Sequence, residues 1–268
     1  GVEPQSETVW HQANKYYVPR LAFVNKLDRA GADFFGVVDQ MRHKLAAVAL
    51  PLQLPIFHSD RLEGVVDLVE GRALVWKDED LGAEVVAEPV PDDMAAEVRH
   101  HRERLVEILA DHDDAIAERF LEGAEVDAGD LRAAIRRATL NLQLVPVFCG
   151  AALRNKGIQP LLDGVCAYLP SPLDMPPIRG HVPETGEPAE RHPDPAEPLC
   201  AYVFKVMMEE GRRMCFLRVY SGRLQVGQAA YNATQKQAER VARIFQLHSN
   251  KRARLDEAEA GHIVAVMG

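Results

Sequence analysis

Apolar and polar positions alternate along this 268-residue chain with changing periods, and the period at each place predicts an element. Over Gly1 to Tyr17, Val9 and Ala13 stand four apart, Pro4 lies near the start and Pro19 blocks continuation, which predicts a helix. Arg20 to Val24 is predicted as a strand, and its run Leu21 to Val24 is continuously apolar, as in a strand buried on both faces of a parallel sheet. Phe34, Val37, Val38, Met41 and Leu45 recur at helical spacing. The same strand-then-helix rhythm returns at Val145 to Phe148 and at Ile158, Leu161, Leu162, Val165 and Tyr168, ending at Pro170.

Roughly a hundred residues separate the two strand–helix units, far more than an ordinary crossover, so the segment between them is predicted to fold by itself. Within it Leu52 to Ile56 alternates as a strand, and Val65 to Leu68 and Ala73 to Trp76 read as two more around Glu70-Gly71. Glu97 to Leu121 is predicted as one long amphipathic helix with Leu105, Ile108, Leu109, Ile116 and Phe120 inward, and Asp130 as the cap of a further helix through Leu131 and Ile135. Pro170 to Pro198 is rich in proline and poor in apolar residues, which predicts an extended connection. After it, Leu199 to Met207, Met214 to Tyr220, Val226 to Tyr231, Glu239 to Leu247 and Ile263 to Met267 are strand candidates punctuated by Gly222, Gly227 and Gly261, the pattern of a small β-barrel.

Composition changes this picture little. Hydrophobic residues at 47% and charged residues at 26% are ordinary for a globular protein. The formal charge of −9 argues against a nonspecific nucleic-acid binder and against direct sequence-specific nucleic-acid recognition. No apolar stretch approaches membrane length, so no membrane partner is expected. Cys149, Cys166, Cys200 and Cys215 show neither C-x-x-C pairing nor metal spacing with His, which predicts free thiols in a reducing cytoplasm and no metal site. His100, His101 and His112 lie among Glu and Arg and are predicted to occupy a solvated helix face.

The run Asn25-Lys26-Leu27-Asp28 carries the most specific chemistry. It follows an apolar strand, at the end of a parallel sheet where ligands bind. Asp28 can accept two parallel hydrogen bonds, which guanine offers as its N1–H and exocyclic amine and adenine does not. Asn25 is placed to tie neighbouring loops and reach the base edge, and the stem of Lys26 to lie along the purine face. As a four-residue pattern it is also what a plain turn after a strand uses, since Asn and Asp both favour turns.

The surrounding residues go further. Gly1 to Phe35 (GVEPQSETVWHQANKYYVPRLAFVNKLDRAGADFF), Val145 to Pro172 (VPVFCGAALRNKGIQPLLDGVCAYLPSP) and Val219 to Gly222 (VYSG) resemble the bacterial translation elongation factor G family almost residue for residue. The resemblance implies an α/β fold: a partial P-loop-type GTPase domain (residues 1–45 and 144–176) with an inserted α/β subdomain (46–143), a Pro-rich linker (177–198) and an incomplete β-barrel (199–268). It implies a cytoplasmic, ribosome-dependent GTPase that promotes tRNA and mRNA translocation. Its partners would be GTP or GDP and the ribosome, with a recycling or ribosome-protection paralogue, or a scaffold without catalysis, as alternatives. Cys149-Gly150-Ala151-Ala152-Leu153 matches the family's second base loop, so Ala151, Ala152 and Leu153 join Asn25, Lys26 and Asp28 as guanine-site residues, with the Ala152 N–H donating to guanine O6. Ala151 stands where the family has Ser, a hydroxyl that helps place the aspartate.

Three local departures lie in the barrel: a short turn at Phe204 to Arg212, Cys215 where Thr is common, and His262 after Ala260-Gly261 where Asp is usual. The inserted subdomain shows nothing catalytic and is expected to be a contact surface. The 268 residues contain no G-x-x-x-x-G-K-[ST], and no D-x-x-G followed by His. The chain is therefore expected to be a monomeric piece of such a factor, without catalytic residues of its own, the ligands of Mg²⁺ lying elsewhere, and to be inactive.

Overall fold

A computed structural model describes residues 1–59, 61–77, 81–183, 185–209, 211–249 and 251–267. Two compact units divide it, Gly1–Leu169 and Pro170–Gly268.

The first unit is built on a three-stranded parallel sheet. Helix α1 (Pro4–Lys15) leads into strand β1 (Ala22–Val24) and helix α2 (Phe34–Leu45), and then β2 (Ala49–Pro51). The sheet is completed from far along the chain by β7 (Val145–Cys149), giving the order β1-β7-β2. β7 is central and buried at all five positions, whereas β1 lies at an edge and buries only Val24. Alternate residues of the β1 segment still meet a core on each face, Ala22 and Val24 on one and Leu21 and Phe23 on the other. The expectation of a strand packed on both faces therefore holds, completely for the central β7 and with partial burial for the edge strand β1. One face packs Val38 and Met41 of α2 with Val24, Val147 and Cys149; the other packs Phe148 with Tyr168 and the helices beyond.

Between β2 and β7 the chain forms an antiparallel sheet of β3 (Gln53–His58), β4 (Arg61–Asp67), β5 (Arg72–Trp76) and β6 (Val85–Glu88), in sequence order. Three helices follow: α3 (Ala95–Ala110), α4 (Asp114–Glu122) and α5 (Ala128–Leu140). The long helix expected over Glu97 to Leu121 is broken, because Asp113 takes an extended backbone and its carboxylate accepts the Ile116 N–H at 3.2 Å as a new N-cap. Asp127, not Asp130, caps α5; its carboxylate accepts the Asp130 N–H at 2.9 Å, placing Asp130 inside the first turn. α6 (Ile158–Tyr168) closes the unit. Among the described residues no helix is long and apolar enough to cross a membrane.

The second unit begins with a hairpin, β8 (Ile178–His181) against β9 (Pro188–Arg191), where the proline-rich sequence predicts a plain extended connection. Its main sheet runs β10-β11-β18-β15-β16, with β10 (Cys200–Glu209), β11 (Arg212–Ser221), β15 (Arg243–His248), β16 (Lys251–Leu255) and β18 (Ile263–Met267). One predicted strand, Val226 to Tyr231, loses its first three residues to a turn, and another, Glu239 to Leu247, is split. Gly227, at a φ of +87°, turns the chain between β12 (Arg223–Gln225) and β13 (Ala229–Asn232). Likewise β14 (Gln237–Arg240) ends before β15 begins. β17 (Glu257–Glu259) pairs with β12, and Leu217, Val219, Leu224, Ile244 and Val264 form the core. Of the short Phe204 to Arg212 turn, Glu210 lies outside the described residues.

Candidate guanine-reading site

Parallel pairing of β1 with β7 matches Val24 to Cys149, so the residues just beyond the two strands emerge side by side. Three hydrogen bonds stitch them together. The Gly150 N–H donates to the Val24 carbonyl at 3.0 Å, and the Leu27 N–H returns to the Gly150 carbonyl at 3.1 Å. The Ala152 N–H donates to Asn25 Oδ1 at 2.9 Å, a bond between residues 127 apart in sequence. Asn25 Oδ1 also accepts the Lys26 N–H at 2.8 Å. That second bond supports Lys26 in the left-handed region, at a φ of +66°, where a residue with a β-carbon is strained.

Lys26 to Arg29 form a tight turn closed by the Arg29 N–H on the Lys26 carbonyl at 3.2 Å. Leu27 points into the core, and Asn25, Lys26 and Asp28 face outward. Among the described residues no hydrogen bond or ion pair holds the Asp28 carboxylate, which leaves both its oxygens for a ligand.

The second loop is stiff. Ala151 is buried and pairs through both backbone groups with Lys156, its N–H on the Lys156 carbonyl at 2.9 Å and its carbonyl under the Lys156 N–H at 3.2 Å. Ala152 to Arg154 make one short 3-10 turn, closed by Asn155 at a φ of +56°. Leu153 is 92% exposed, and its N–H has no acceptor among the described residues. The donors of this loop thus differ from the expected arrangement. The Ala152 N–H is engaged by Asn25, and the Leu153 N–H is the group left open.

The six predicted residues therefore converge at one end of the sheet, on two loops bonded to each other. Sequence reasoning missed two more. Gln53, buried at 1% exposure, accepts the Cys149 N–H on its Oε1 at 3.1 Å. Lys156, also buried, donates from Nζ to the Leu62 carbonyl at 3.0 Å. Neither belongs to a recognisable pattern; a polar residue inside an otherwise apolar strand was the only signal for Gln53. Burial pushes the Cys149 thiol well above its ordinary range, so it stays a neutral thiol. His101 is half-buried and stacked on Phe35, their ring centres 4.9 Å apart, so the expected solvated face holds for His100 alone of this pair. Among the described residues no group of three or more His, Cys, Asp or Glu is arranged to hold a metal ion.

Residues 1–171 match the family of the elongation factor Tu GTP binding domain, and residues 198–268 match elongation factor G domain 2. Elongation factor G 2 of Syntrophus aciditrophicus is 52% identical over the whole chain, and elongation factor G 2 of Geobacter metallireducens 50%. The chain spans 40% and 39% of the lengths of these two relatives. A crystal structure of a Thermus thermophilus protein superposes with a TM-score of 0.79 at 27% identity, covering all of this chain and 37% of that one.

Proposed function

The chain belongs to the family of GTPases defined by the elongation factor Tu GTP binding domain, in the form that carries elongation factor G domain 2, and from that premise we propose that it is the base-reading portion of a cytoplasmic, ribosome-dependent GTPase that drives translocation of tRNA and mRNA. The observation that carries this reading is the 2.9 Å bond from the Ala152 N–H to Asn25 Oδ1, which joins the two loops into one edge. The proposed GTPase domain comprises residues 1–45 and 144–176, extended by β2, with the antiparallel sheet and its helices as an insert.

At that edge Asp28 accepts guanine N1–H and the exocyclic amine, both charge-assisted. The N–H groups of Ala152 and Leu153 present donors to O6, Ala152 sharing its proton with Asn25. The exposed Lys26 stem covers one purine face. A carboxylate facing adenine would be left without donors, and an N–H would meet the adenine amine, so adenine is rejected on two counts. GTP supplies the phosphoryl group whose transfer to water is the reaction. The chain's own residues bind and orient its base, while the triphosphate and Mg²⁺ belong to a phosphate loop these residues do not include.

The test is Asp28→Asn in the full-length gene product. An asparagine amide donates to the xanthine O2 that replaces the guanine amine, and its oxygen still accepts N1–H. Ribosome-stimulated hydrolysis should shift from GTP towards xanthosine triphosphate by about a hundredfold in relative kcat/KM. Unchanged guanine preference would refute the assignment.

A further inference from the structure

The chain leaves the parallel sheet at an awkward place. The Leu52 N–H still donates to the Val147 carbonyl at 2.9 Å, continuing the β2–β7 ladder. In a regular parallel ladder the next bond would run from the Cys149 N–H to the Leu52 carbonyl. That carbonyl has been taken by the Leu68 N–H at 2.9 Å, because the chain is already turning into the antiparallel sheet. Gln53 repairs the gap: its Oε1 accepts the Cys149 N–H at 3.1 Å, one residue before Gly150 and the second base loop. Because the partner is a donor, it must be the amide oxygen that faces it, and Gln53 Nε2 is left buried without a partner. An apolar residue there would spare that orphan. The acceptor it supplies to the Cys149 N–H is what the glutamine adds at this position.

The far side of the same loop is tied to the same inserted sheet. Lys156, whose backbone brackets Ala151, sends its ammonium inward to the Leu62 carbonyl on β4 at 3.0 Å. The Asn155 side-chain amide donates to the Leu81 carbonyl at 2.9 Å, ahead of β6. The loop is thus hung between its own strand and the insert, with a side chain from each partner crossing the joint.

We infer that Gln53 and Lys156 are positioning residues for base recognition: through them the inserted sheet sets the direction of the Ala152 and Leu153 N–H groups that meet guanine O6. This rests on the base-site reading above. It makes a selective demand, because only the O6 contact should suffer when the tether is cut, while Asp28 on the other loop keeps the N1 and amine contacts.

The experiment uses Gln53→Met, Lys156→Met and Asp28→Asn in the full-length gene product. Affinities are measured for GDP and for the diphosphates of inosine, which lacks the amine but keeps O6, and 2-aminopurine riboside, which lacks O6 and with it the N1 proton, so that no tether-dependent contact remains in its complex. Each tether variant should lower the preference for GDP over the 2-aminopurine nucleotide roughly fivefold, as loss of one well-placed donor would. Its preference for GDP over the inosine nucleotide should stay at the wild-type value. Both ratios unchanged, or both falling in parallel, would overturn the inference. Thermal unfolding is recorded for each variant; if one does not fold, the other decides. Asp28→Asn separates the two layers. If it leaves the inosine ratio unmoved, the base-site reading itself fails. If it moves that ratio and the tether variants do not move the 2-aminopurine ratio, this inference alone fails.

Discussion

Gly150 sits where the two base loops cross, and its lack of a side chain is a packing requirement. A β-carbon there would stand 2.3 Å from the Lys156 carbonyl oxygen, 2.9 Å from Phe23 Cζ and 3.1 Å from the Gly157 Cα. Two of those neighbours are backbone and cannot swing away. Gly150→Ala should therefore destabilise the first unit by about 1–3 kcal/mol, read as a lower denaturant midpoint. It should also part the Leu27–Gly150 and Ala152–Asn25 bonds and weaken GDP binding by the full-length protein. An alanine tolerated with an unchanged midpoint would show that the loops can separate at no cost. The identities of Asn25, Lys26 and Asp28 were legible from the sequence because their pattern is local. The bonds of Gln53 and Lys156 were not, because each side chain joins positions far apart in sequence, 96 residues for Gln53 and Cys149 and 94 for Lys156 and Leu62.

At the scale of elements, the hairpin from β4 to β5 turns on a half-buried acid. Asp67 Oδ1 accepts the N–H groups of Val69 at 2.9 Å and Glu70 at 3.0 Å, and Arg102 on α3 closes over the turn by donating to the Leu68 and Val69 carbonyls. Burial pushes the Asp67 carboxyl above its ordinary range, against the pull of those two N–H donors. A raised folded-state pKa means that the folded chain holds the proton more tightly than the unfolded chain. The resulting stability is fully present below the unfolded value of 3.8 and is lost as the pH rises through the folded one. Asp67→Asn keeps an acceptor for both N–H groups and never ionises. The variant should gain on the wild type in thermal midpoint between pH 4 and pH 7; a difference that stays flat or shrinks over that range would contradict the burial argument. The helix break at Asp113 shows the limit of periodicity at this scale. Apolar spacing continues straight through Asp111 to Asp114, and only a carboxylate turned back onto the Ile116 N–H marks the stop.

For the whole molecule, base contacts alone are a small part of nucleotide affinity. In this family's chemistry the phosphates and the metal dominate, and they are met by backbone N–H groups and a lysine of a phosphate loop. None of the 268 residues forms that motif. The isolated 268-residue chain should accordingly neither hydrolyse GTP nor bind it at submicromolar Kd. Calorimetric titration and a phosphate-release assay check this, and a submicromolar affinity would require a triphosphate site built from residues assigned no role here.

Periods of apolar residues and proline stops determined by themselves that two strand–helix units enclose an inserted segment and precede a β-rich region, and the Asn-Lys-x-Asp and Cys-Gly-Ala-Ala patterns marked the two strand-end loops that the fold brings together. These are local properties, decided by which residues lie within a turn or two of one another. Tertiary structure alone decided that β7 rather than β1 is the buried centre of the sheet and that the chain exits the ladder at Leu52. It also decided that a buried glutamine from the insert must supply the acceptor the ladder lost. Such features depend on which backbone groups are left unpaired once the sheet has assembled. A hydrogen-bond deficit of that kind has no period and no composition by which a sequence could announce it.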